Sequence, residues 1–260
     1  METLPLDILL YIIDLLAGED DEDVKSLRIL SQTCKSMVSL CRKHLFSSLH
    51  LCGGLNSERF SDLLSKNPDI ACYVRKLNYR VLFPPISDHE LNILDMLKER
   101  SSLQSIELSS PWRNRIPWRI LTESVRSALV SLIQLPTVTF LNIHTFDGFP
   151  ATALSGCDNL IDLKLGEINF VPPEVNQVIS RSKIPAPVSL YINHDTYNLA
   201  ALLSSGSLHA GDPMVDFSGL RKVEFEVKSR DDLDQVSELI KVTTRLEYFC
   251  IGVFTGTRGE

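Results

Sequence analysis

The sequence lacks any concentration of basic charge. Its 260 residues include 26 Lys and Arg against 33 Asp and Glu, which gives a formal net charge of −7, and no basic stripe interrupts this balance. Nucleic acids and anionic membrane surfaces are bound through clustered Lys and Arg. The composition therefore argues against either one as the main partner.

Long apolar runs and paired cysteines are missing as well. No segment approaches the roughly 18 consecutive apolar residues of a membrane-spanning helix, and Met1-Glu2-Thr3 lacks the basic start of a secretory signal. The six cysteines, at 34, 41, 52, 72, 157 and 250, do not have the close spacing of a disulfide framework. We therefore expect a reduced protein of the cytoplasm or the nucleus.

Motifs of common catalytic and metal sites are also absent. The sequence contains no G-x-S-x-G nucleophile elbow, glycine-rich phosphate loop, H-E-x-x-H motif or Cys-x-x-Cys pair. Zinc could be bound by Cys34, Cys41 and His44, but the two thiols lie seven residues apart on an apolar helix face and a fourth ligand is missing. Core packing is the preferred interpretation of these cysteines.

Two His–Asp pairs are the remaining candidates for acid–base chemistry. They are His144 with Asp147 and His194 with Asp195, and neither is accompanied by a nucleophile in a recognisable motif. The acidic run at 19–23 has no calcium-loop pattern and is interpreted as a solvated turn. The sequence thus predicts no enzyme, no metal and no cofactor.

A short N-terminal helix carries more apolar surface than one small domain can cover. Pro5 is a favourable first helical residue and Gly18 a favourable stop, which predicts a helix over 5–17. Its polar residues Asp7, Tyr11 and Asp14 form one narrow stripe. The apolar residues are Ile8, Ile12, Leu15 and Leu16 on one flank and Leu6, Leu9, Leu10 and Ile13 elsewhere. Each buried Leu or Ile stabilises by roughly 1.5–3 kcal/mol, so the uncovered flank predicts a partner protein.

Two more helical segments follow the acidic turn. The second helix carries Val24, Leu27 and Leu30, and the third carries Leu30, Cys34, Met37 and Cys41 at helical spacing and continues to Leu45. Together with the first helix they predict a three-helix domain over residues 1–51.

Three ordered motifs run through this domain. They are Leu4-Pro5-x-Asp7-Ile8-Leu9-x-x-Ile12-Ile13-Asp14-x-Leu16, Leu27-x-x-Leu30-Ser31-Gln32-Thr33-Cys34-Lys35-Ser36-Met37 and Arg42-Lys43-His44-Leu45-Phe46-Ser47-Ser48-Leu49. They resemble the F-box in the form common in fungal proteins, although Met37 stands where many F-boxes have a bulky aromatic residue. The resemblance implies docking on the Skp adaptor of a cullin-RING ubiquitin ligase. The expected adaptor-binding residues are Leu4, Pro5, Ile8, Leu9, Ile12 and Met37.

From residue 52 onward, short apolar patterns alternate with helical segments. The pattern apolar-x-x-apolar-x-apolar begins at residues 74, 103, 138, 160, 220 and 246, with a weaker copy near 187. Helices are predicted between these patterns over 57–66, 87–100, 120–134, 173–182, 196–204 and 230–243. Strands joined through helices predict parallel pairing. The sequence therefore predicts an α/β fold with about seven irregular repeats in a second domain, residues 52–260.

Alternation within the strands distinguishes two α/β architectures. A doubly wound sheet is covered on both faces and has continuously apolar strands, whereas Leu163-Lys164-Leu165 and Val223-Glu224-Phe225 alternate. The pattern resembles a divergent leucine-rich repeat, which implies a solenoid with a curved parallel sheet and helices on its convex side. The last pattern ends at Gly252-Val253 without the cap that a solenoid requires, which predicts an incomplete chain or an edge covered by a partner.

Polar residues between the apolar strand positions must point away from the helices. We expect them to form a concave surface that binds a substrate protein, with a solvated face that binds nothing as the alternative. The substrate-binding candidates on this surface are Arg80, Glu107, His144, Lys164, Tyr191, Glu224 and Tyr248.

Residues 111–119 offer a second candidate contact. Trp112 and Trp118 are interleaved with three arginines, a combination that can hold a phosphate or an acidic peptide. The alternative is a loop whose tryptophans pack back on the repeats. Both tryptophans are retained as substrate-binding candidates.

Three functional classes remain. A substrate receptor of a Skp–cullin–F-box ubiquitin ligase explains both predicted domains, because one would dock the adaptor and the other a substrate. A non-catalytic repeat scaffold without a ubiquitin role explains only the second domain. An α/β enzyme is disfavoured by the alternating strands and the missing motifs.

Overall fold

The computed structural model describes residues 5–18, 21–52, 55–82, 87–110, 115–172, 183–193, 196–197, 199–203 and 213–253. Its α-helices are α1 Leu6–Leu16, α2 Asp21–Ser31, α3 Lys35–Leu45, α4 Leu55–Lys66, α5 Asp88–Arg100, α6 Glu123–Ile133, α7 Ala200–Leu203 and α8 Arg230–Val242. Its strands are β1 Ser48–Leu51, β2 Lys76–Arg80, β3 Ser105–Ser109, β4 Ile116–Pro117, β5 Phe140–His144, β6 Phe146–Pro150, β7 Asp162–Gly166, β8 Asn169–Val171, β9 Ser189–Ile192, β10 Lys222–Val227 and β11 Tyr248–Val253. Short 3₁₀ helices occupy Pro68–Tyr73, Trp118–Ile120 and Ala151–Gly156.

The first three helices pack around a small core of their own. Its fully buried members are Ile13, Leu27 and Cys41, one from each helix. Pro5 is the N-cap of α1 rather than its first helical residue. Cys34 is the exposed N-cap of α3, and Leu30 lies within α2, so neither extends the apolar face of α3 as predicted. The basic residues in the last turn of α3 complement its dipole.

The large sheet has eight parallel strands in the order β1-β2-β3-β5-β7-β9-β10-β11. Each new strand is added at the same edge, so the order never reverses as it does in a doubly wound sheet. Residues on one face are buried and those on the other are more exposed, as the alternating burial of β2 and β10 illustrates. The predicted α/β class with a large parallel sheet is confirmed.

A second, three-stranded parallel sheet runs alongside the first in the order β4-β6-β8. The chain turns from β5 to β6 at Thr145 and from β7 to β8 near Glu167, and both residues have positive φ, 61° and 49°. The Thr145 hydroxyl accepts a hydrogen bond from the Ser110 N–H at 2.9 Å, which connects this turn to the end of β3. The small sheet was absent from the sequence prediction.

Most predicted helices lie close to observed ones. The predictions over 57–66, 87–100, 120–134 and 230–243 correspond to α4, α5, α6 and α8. The prediction over 196–204 is too long, because α7 contains only four residues, and the helix predicted over 173–182 lies outside the described residues.

Capping at two helices differs from expectation. Ser87 is the N-cap of α5, yet its side chain makes no capping bond, and the Glu90 carboxylate turns inward to accept from Tyr79 (3.1 Å) and Ser57 (3.3 Å). A true capping box occurs at α8, where the Ser229 hydroxyl accepts from the Asp232 N–H and the Asp232 carboxylate accepts from the Ser229 N–H.

The three helices join the large sheet almost directly. β1 begins at Ser48, three residues after α3 ends at Leu45, and Ser47 O accepts from the backbone N–H groups of Arg75 and Lys76. Residues 48–51, placed in the first domain by sequence, therefore form the first strand of the sheet. Over the described part of the chain, none of the helices has the length and apolarity needed to cross a membrane.

Candidate protein-interaction surfaces

One side of α1 forms an exposed apolar surface, which we call the docking stripe: Ile8, Tyr11, Ile12 and Leu15. Most pairs among these positions are three, four or seven residues apart, so all four lie on one side of the helix. Leu15 is 66% exposed, whereas Ile13, on the opposite side, is 1% exposed in the three-helix core. The apolar residues of α1 thus divide between a packed side and an open side.

The docking stripe is large for a surface left in water. Burying a Leu or Ile side chain stabilises by roughly 1.5–3 kcal/mol, so its three aliphatic residues forgo an amount comparable to much of a domain's net stability. Single exposed apolar residues are common, but a contiguous set on one helix is typical of an interaction site. Ile29 on α2 and Val38 on α3 add exposed apolar surface to the same helical unit.

The predicted adaptor-binding residues divide into three groups. Pro5, Ile8 and Ile12 are exposed. Leu9 is half-buried. Met37 is half-buried too and packs against the three-helix core, so the expectation that Met37 faces outward is wrong. Each stands four residues before a buried residue, Ile13 or Cys41, and therefore shares its helix face. Leu4 lies outside the described residues.

An ion-paired contact fixes α1 against α3. The Asp14 carboxylate accepts hydrogen bonds from Lys43 Nζ at 2.8 Å and from His44 Nε2 at 2.9 Å. The hydrogen bond from Lys43, followed by that from His44, lowers the pKa of Asp14. Asp14 was predicted only as part of a wet stripe, yet it joins α1 to the last turn of α3.

The second candidate surface is the more exposed face of the large sheet, which we call the open face. Registered pairing aligns one residue from each strand in a row across it. The row contains His50, Asn78, Glu107, Asn142, Lys164, Tyr191, Glu224 and Cys250. Four substrate-binding candidates, Glu107, Lys164, Tyr191 and Glu224, therefore lie in one row, with Asn142 between the first two. Tyr248 lies in the row before it, and Arg80 and His144 lie in the row after it.

Part of the open face is held by its own side chains. The Tyr191 hydroxyl donates to Glu226 at 2.7 Å, and burial followed by this bond raises the pKa of Tyr191 to about 12. Lys222 pairs with Glu224 at 2.8 Å and lies 5.4 Å from the ring centre of Tyr248. These contacts pre-organise the β9–β11 half of the surface, which reduces the entropy lost on binding.

Polar groups near the centre of the open face lack partners within the described structure. The Oδ1 atoms of Asn78 and Asn142, which flank Glu107 in the row, are buried without a hydrogen bond, as is Oδ1 of Asn193. Unpaired buried acceptors are costly and are normally satisfied by water or a ligand. A partner that presents N–H or O–H groups would satisfy them.

His144 occupies a crowded position next to these residues. Burial lowers its pKa, with Glu107 and Glu167 opposing the shift and Lys164 adding to it. The imidazole is therefore neutral at neutral pH and can both donate and accept. A Cβ on Gly166 would come within 2.9 Å of His144 Nδ1, so glycine at this position makes room for the ring.

One aromatic residue of the open face escaped the sequence prediction. Phe140 begins β5 on the same side of the sheet as Asn142, is partly exposed, and lies 5.4 Å from Lys164 Nζ. The alternation that identified Asn142 would also have identified Phe140, but the repeat pattern was counted from the buried Val138.

Trp118 is a packing residue. It is 4% exposed and makes edge-to-face contacts with Phe146 (5.5 Å) and Phe149 (4.8 Å). The proposal that Trp118 contacts a substrate is therefore wrong, and the packing alternative is correct for it. Trp112 lies outside the described residues. Arg115 covers the ring of Tyr197 at 4.5 Å.

The described candidate metal and acid–base groups are buried or bonded to other partners rather than to one another. Cys34 is exposed and bonds to Ser36, Cys41 is buried, and His44 bonds to Asp14. Asp147 accepts from Asn169 rather than from a histidine. Throughout the described ranges, no group of three His, Cys, Asp or Glu side chains is placed to hold a metal ion. His194 and Asp195 fall outside those ranges.

No protein-family model matches the chain, and no curated protein matches its sequence. Function is therefore inferred from the two surfaces themselves.

Proposed function

We propose that this protein is the substrate-recognition subunit of a Skp–cullin–F-box ubiquitin ligase. In this proposal residues 1–51 act as an F-box that docks the Skp adaptor, and the following repeats form a leucine-rich-repeat-like solenoid that binds a substrate protein. The observation that carries the proposal is the docking stripe, an exposed apolar side on a helix whose opposite side completes a three-helix unit.

The order of elements supports this assignment. Three short helices are followed immediately by a sheet whose strands are added sequentially at one edge, with its apolar side buried from β1 to β10 and its polar side open. This arrangement is what a solenoid with helices on the convex side requires. The open face is then the concave substrate surface, and its mixed charge and exposed tyrosine suit protein recognition.

The mechanism in this proposal is proximity. The protein contributes no nucleophile to ubiquitin transfer; it holds a substrate near the ubiquitin donor that the rest of the ligase carries. Binding both surfaces at once converts an encounter between separate molecules into one within a complex, which raises the effective concentration of the reacting groups.

A binding assay with purified Skp adaptor tests the adaptor half of the proposal. We expect the intact chain to bind, and Ile8→Asp with Ile12→Asp to weaken binding by at least roughly 100-fold, because two apolar contacts are replaced by desolvated charges. Val171→Asp is the matched control, since Val171 is an exposed apolar residue at the end of β8. A folded intact chain that does not bind the adaptor would refute the proposal.

The same protein preparation distinguishes the scaffold alternative. In the scaffold alternative the adaptor does not bind the intact chain, but another protein does. Lys164→Glu with Tyr191→Ala would then abolish binding of that protein, which would show that the open face acts without a ubiquitin role. Both residues lie in the registered row of that face, so a substrate receptor should lose its substrate, and keep its adaptor, in the same double variant.

A further inference from the structure

Several unusual features of the open face meet at the carboxyl ends of β5, β7 and β9. Thr145 and Glu167, which directly follow β5 and β7, have positive φ values of 61° and 49°. Positive φ is uncommon outside glycine, above all for a β-branched residue, and such strain clusters at binding sites and switch regions. This end of the open face is therefore where a specific substrate contact is expected.

Two polar side chains approach each other across the end of β7. His144, the last residue of β5, is registered with Gly166, the last residue of β7. A Cβ on Gly166 would lie 2.9 Å from His144 Nδ1 and 3.5 Å from the Cβ of Asn193, which follows β9. The imidazole and the amide can approach each other because the residue between them has no side chain.

Carboxylates outnumber cations in the immediate surroundings of His144. Burial lowers the pKa of His144, and three charged side chains modify this shift. Glu107 and then Glu167 oppose it, whereas Lys164 adds to it and contributes least. Lys164 leans away from this end of the strands, because its Nζ lies 5.4 Å from the ring centre of Phe140 at the start of β5. The charge near the imidazole is therefore negative on balance.

The other charges on the strands of the open face lie farther from His144. Lys76 and Arg80 belong to β2, which is two strands from β5 and so roughly 10 Å away. Strand β10, three strands from β5 on the other side, carries Lys222, Glu224 and Glu226, and the first two of these pair with each other. Neither group reverses the local excess of carboxylates.

The unpaired hydrogen-bonding groups at this end are acceptors. The Oδ1 atoms of Asn142, two residues before His144 on the same side of β5, and of Asn193 are buried without a hydrogen-bond partner in the described structure. The ionised carboxylates of Glu107 and Glu167 can also only accept. A ligand that fits this group must supply several N–H donors and positive charge.

We propose that these five residues, which we call the His144 site, bind a basic side chain of the substrate protein, and that arginine fits best. The proposal rests on the proposed substrate role of the open face. A guanidinium has five N–H donors and no acceptor, and its planar shape matches carboxylates. The neutral imidazole can accept one of these hydrogen bonds without adding positive charge. A lysine ammonium has only three donors and should bind more weakly.

An NMR titration of the full chain with N-acetyl-arginine amide tests the proposal. The His144 ring signals, assigned with His144→Gln, should shift and saturate at millimolar concentrations, as expected for a ligand of one residue. N-acetyl-citrulline amide has nearly the same shape without the charge and should leave these signals unchanged. Equal shifts with both compounds, or none with the arginine compound, would overturn the proposal.

Variants without the two carboxylates locate the binding site. Glu107→Gln with Glu167→Gln should weaken binding of N-acetyl-arginine amide about tenfold, because charge-assisted hydrogen bonds are lost. The matched control is Glu58→Gln with Glu99→Gln, which changes two exposed glutamates on α4 and α5 and should leave the affinity unchanged. An equal loss in the control would reveal general attraction to acidic surface and would overturn the proposal.

Adaptor binding, measured on the same preparations, separates this proposal from the proposed function. The Glu107→Gln and Glu167→Gln chain should bind the Skp adaptor as the unchanged chain does. A chain that binds the adaptor but not the arginine compound would reject the His144 site alone. A chain that binds the arginine compound but not the adaptor would support the His144 site and reject the ubiquitin-ligase role.

Discussion

The two edge strands of the large sheet occupy equivalent positions but differ in how they are covered. Each has one strand neighbour in the described structure. Leu51 on β1 is 2% exposed, whereas Ile251 on β11 is 40% exposed. Phe46, just after α3, packs on the same core as Leu51. Backbone pairing is the same at both edges, so side-chain packing on the apolar side decides whether an edge is complete.

The contrast assigns the helical unit a second role. Its last helix leads directly into β1, and Phe46 just beyond it packs on the core behind the first edge, while α1 directs the docking stripe outward. At the other end of the described sheet, Leu233 and Ile240 of α8 and the apolar side chains of β11 are exposed.

The largest expected effect is loss of stability at the closed edge. Leu51→Ala should lower the free energy of unfolding by about 2–5 kcal/mol because it leaves a cavity in the core. Ile251→Ala should cost less than about 1 kcal/mol because the side chain is already largely solvated. Urea unfolding of both variants measures the two losses. Equal losses would show that the two edges are packed alike.

A buried polar contact near the closed edge should have the next largest effect. Tyr79→Phe removes the donor to Glu90 and leaves Ser57 as the remaining described donor. Loss of a hydrogen bond to a buried carboxylate should cost about 1–3 kcal/mol. Chemical unfolding at pH 7 measures it. An unchanged free energy of unfolding would mean that the Glu90 carboxyl is not ionised at pH 7.

The same carboxyl should produce a distinctive pH dependence. Burial raises the pKa of Glu90, with the bonds from Tyr79 and Ser57 opposing the shift. The folded state therefore binds the Glu90 proton more readily than the unfolded state, and this contribution is full below the ordinary glutamate range and is lost as the pH rises through the raised pKa. Glu90→Gln should flatten this decline in unfolding experiments between about pH 4 and 7. An unchanged pH profile would contradict the inward placement of Glu90.

Asp14 should give the smallest effect and the opposite sign. Its pKa is lowered by Lys43 and His44, so its contribution is present above the ordinary aspartate range and is lost as the pH falls through the lowered pKa. Because the pair is exposed, Asp14→Asn should reduce adaptor affinity by no more than roughly threefold. A titration against the adaptor measures this, and a loss as large as that of Ile8→Asp with Ile12→Asp would show that Asp14 itself makes an adaptor contact.

Much of the fold follows from local periodicity. The alternating strands and the apolar excess of α1 could be predicted from the sequence because side-chain direction repeats every two residues in a strand and every 3.6 in a helix. The same rule would have corrected the prediction for Met37 if the inward helix positions had been known. Those depend on which face meets Ile13, Leu27 and Cys41, and that is a tertiary choice.

Other features depend on contacts distant in sequence. Glu90 has the sequence signature of a helix cap, but its carboxylate lies in the core, where it accepts hydrogen bonds from Tyr79 and Ser57 on two other elements. Trp118 resembles a binding residue until Phe146 and Phe149 enclose it. The line of residues from Asn78 to Glu224 also required the strand register, which no single segment specifies.

The short join between α3 and β1 affects more than packing. Only Phe46 and Ser47 separate the helix from the strand; their N–H groups bond back to Arg42 O and His44 O, and Ser47 O accepts from the next strand's lead-in. Such a short, hydrogen-bonded connection is rigid and does not act as a hinge. A partner held through a flexible linker samples a volume that grows with linker length, whereas a rigid connection holds it in one orientation. Changing the angle of this join would redirect a partner on the docking stripe without altering either of the two proposed binding surfaces.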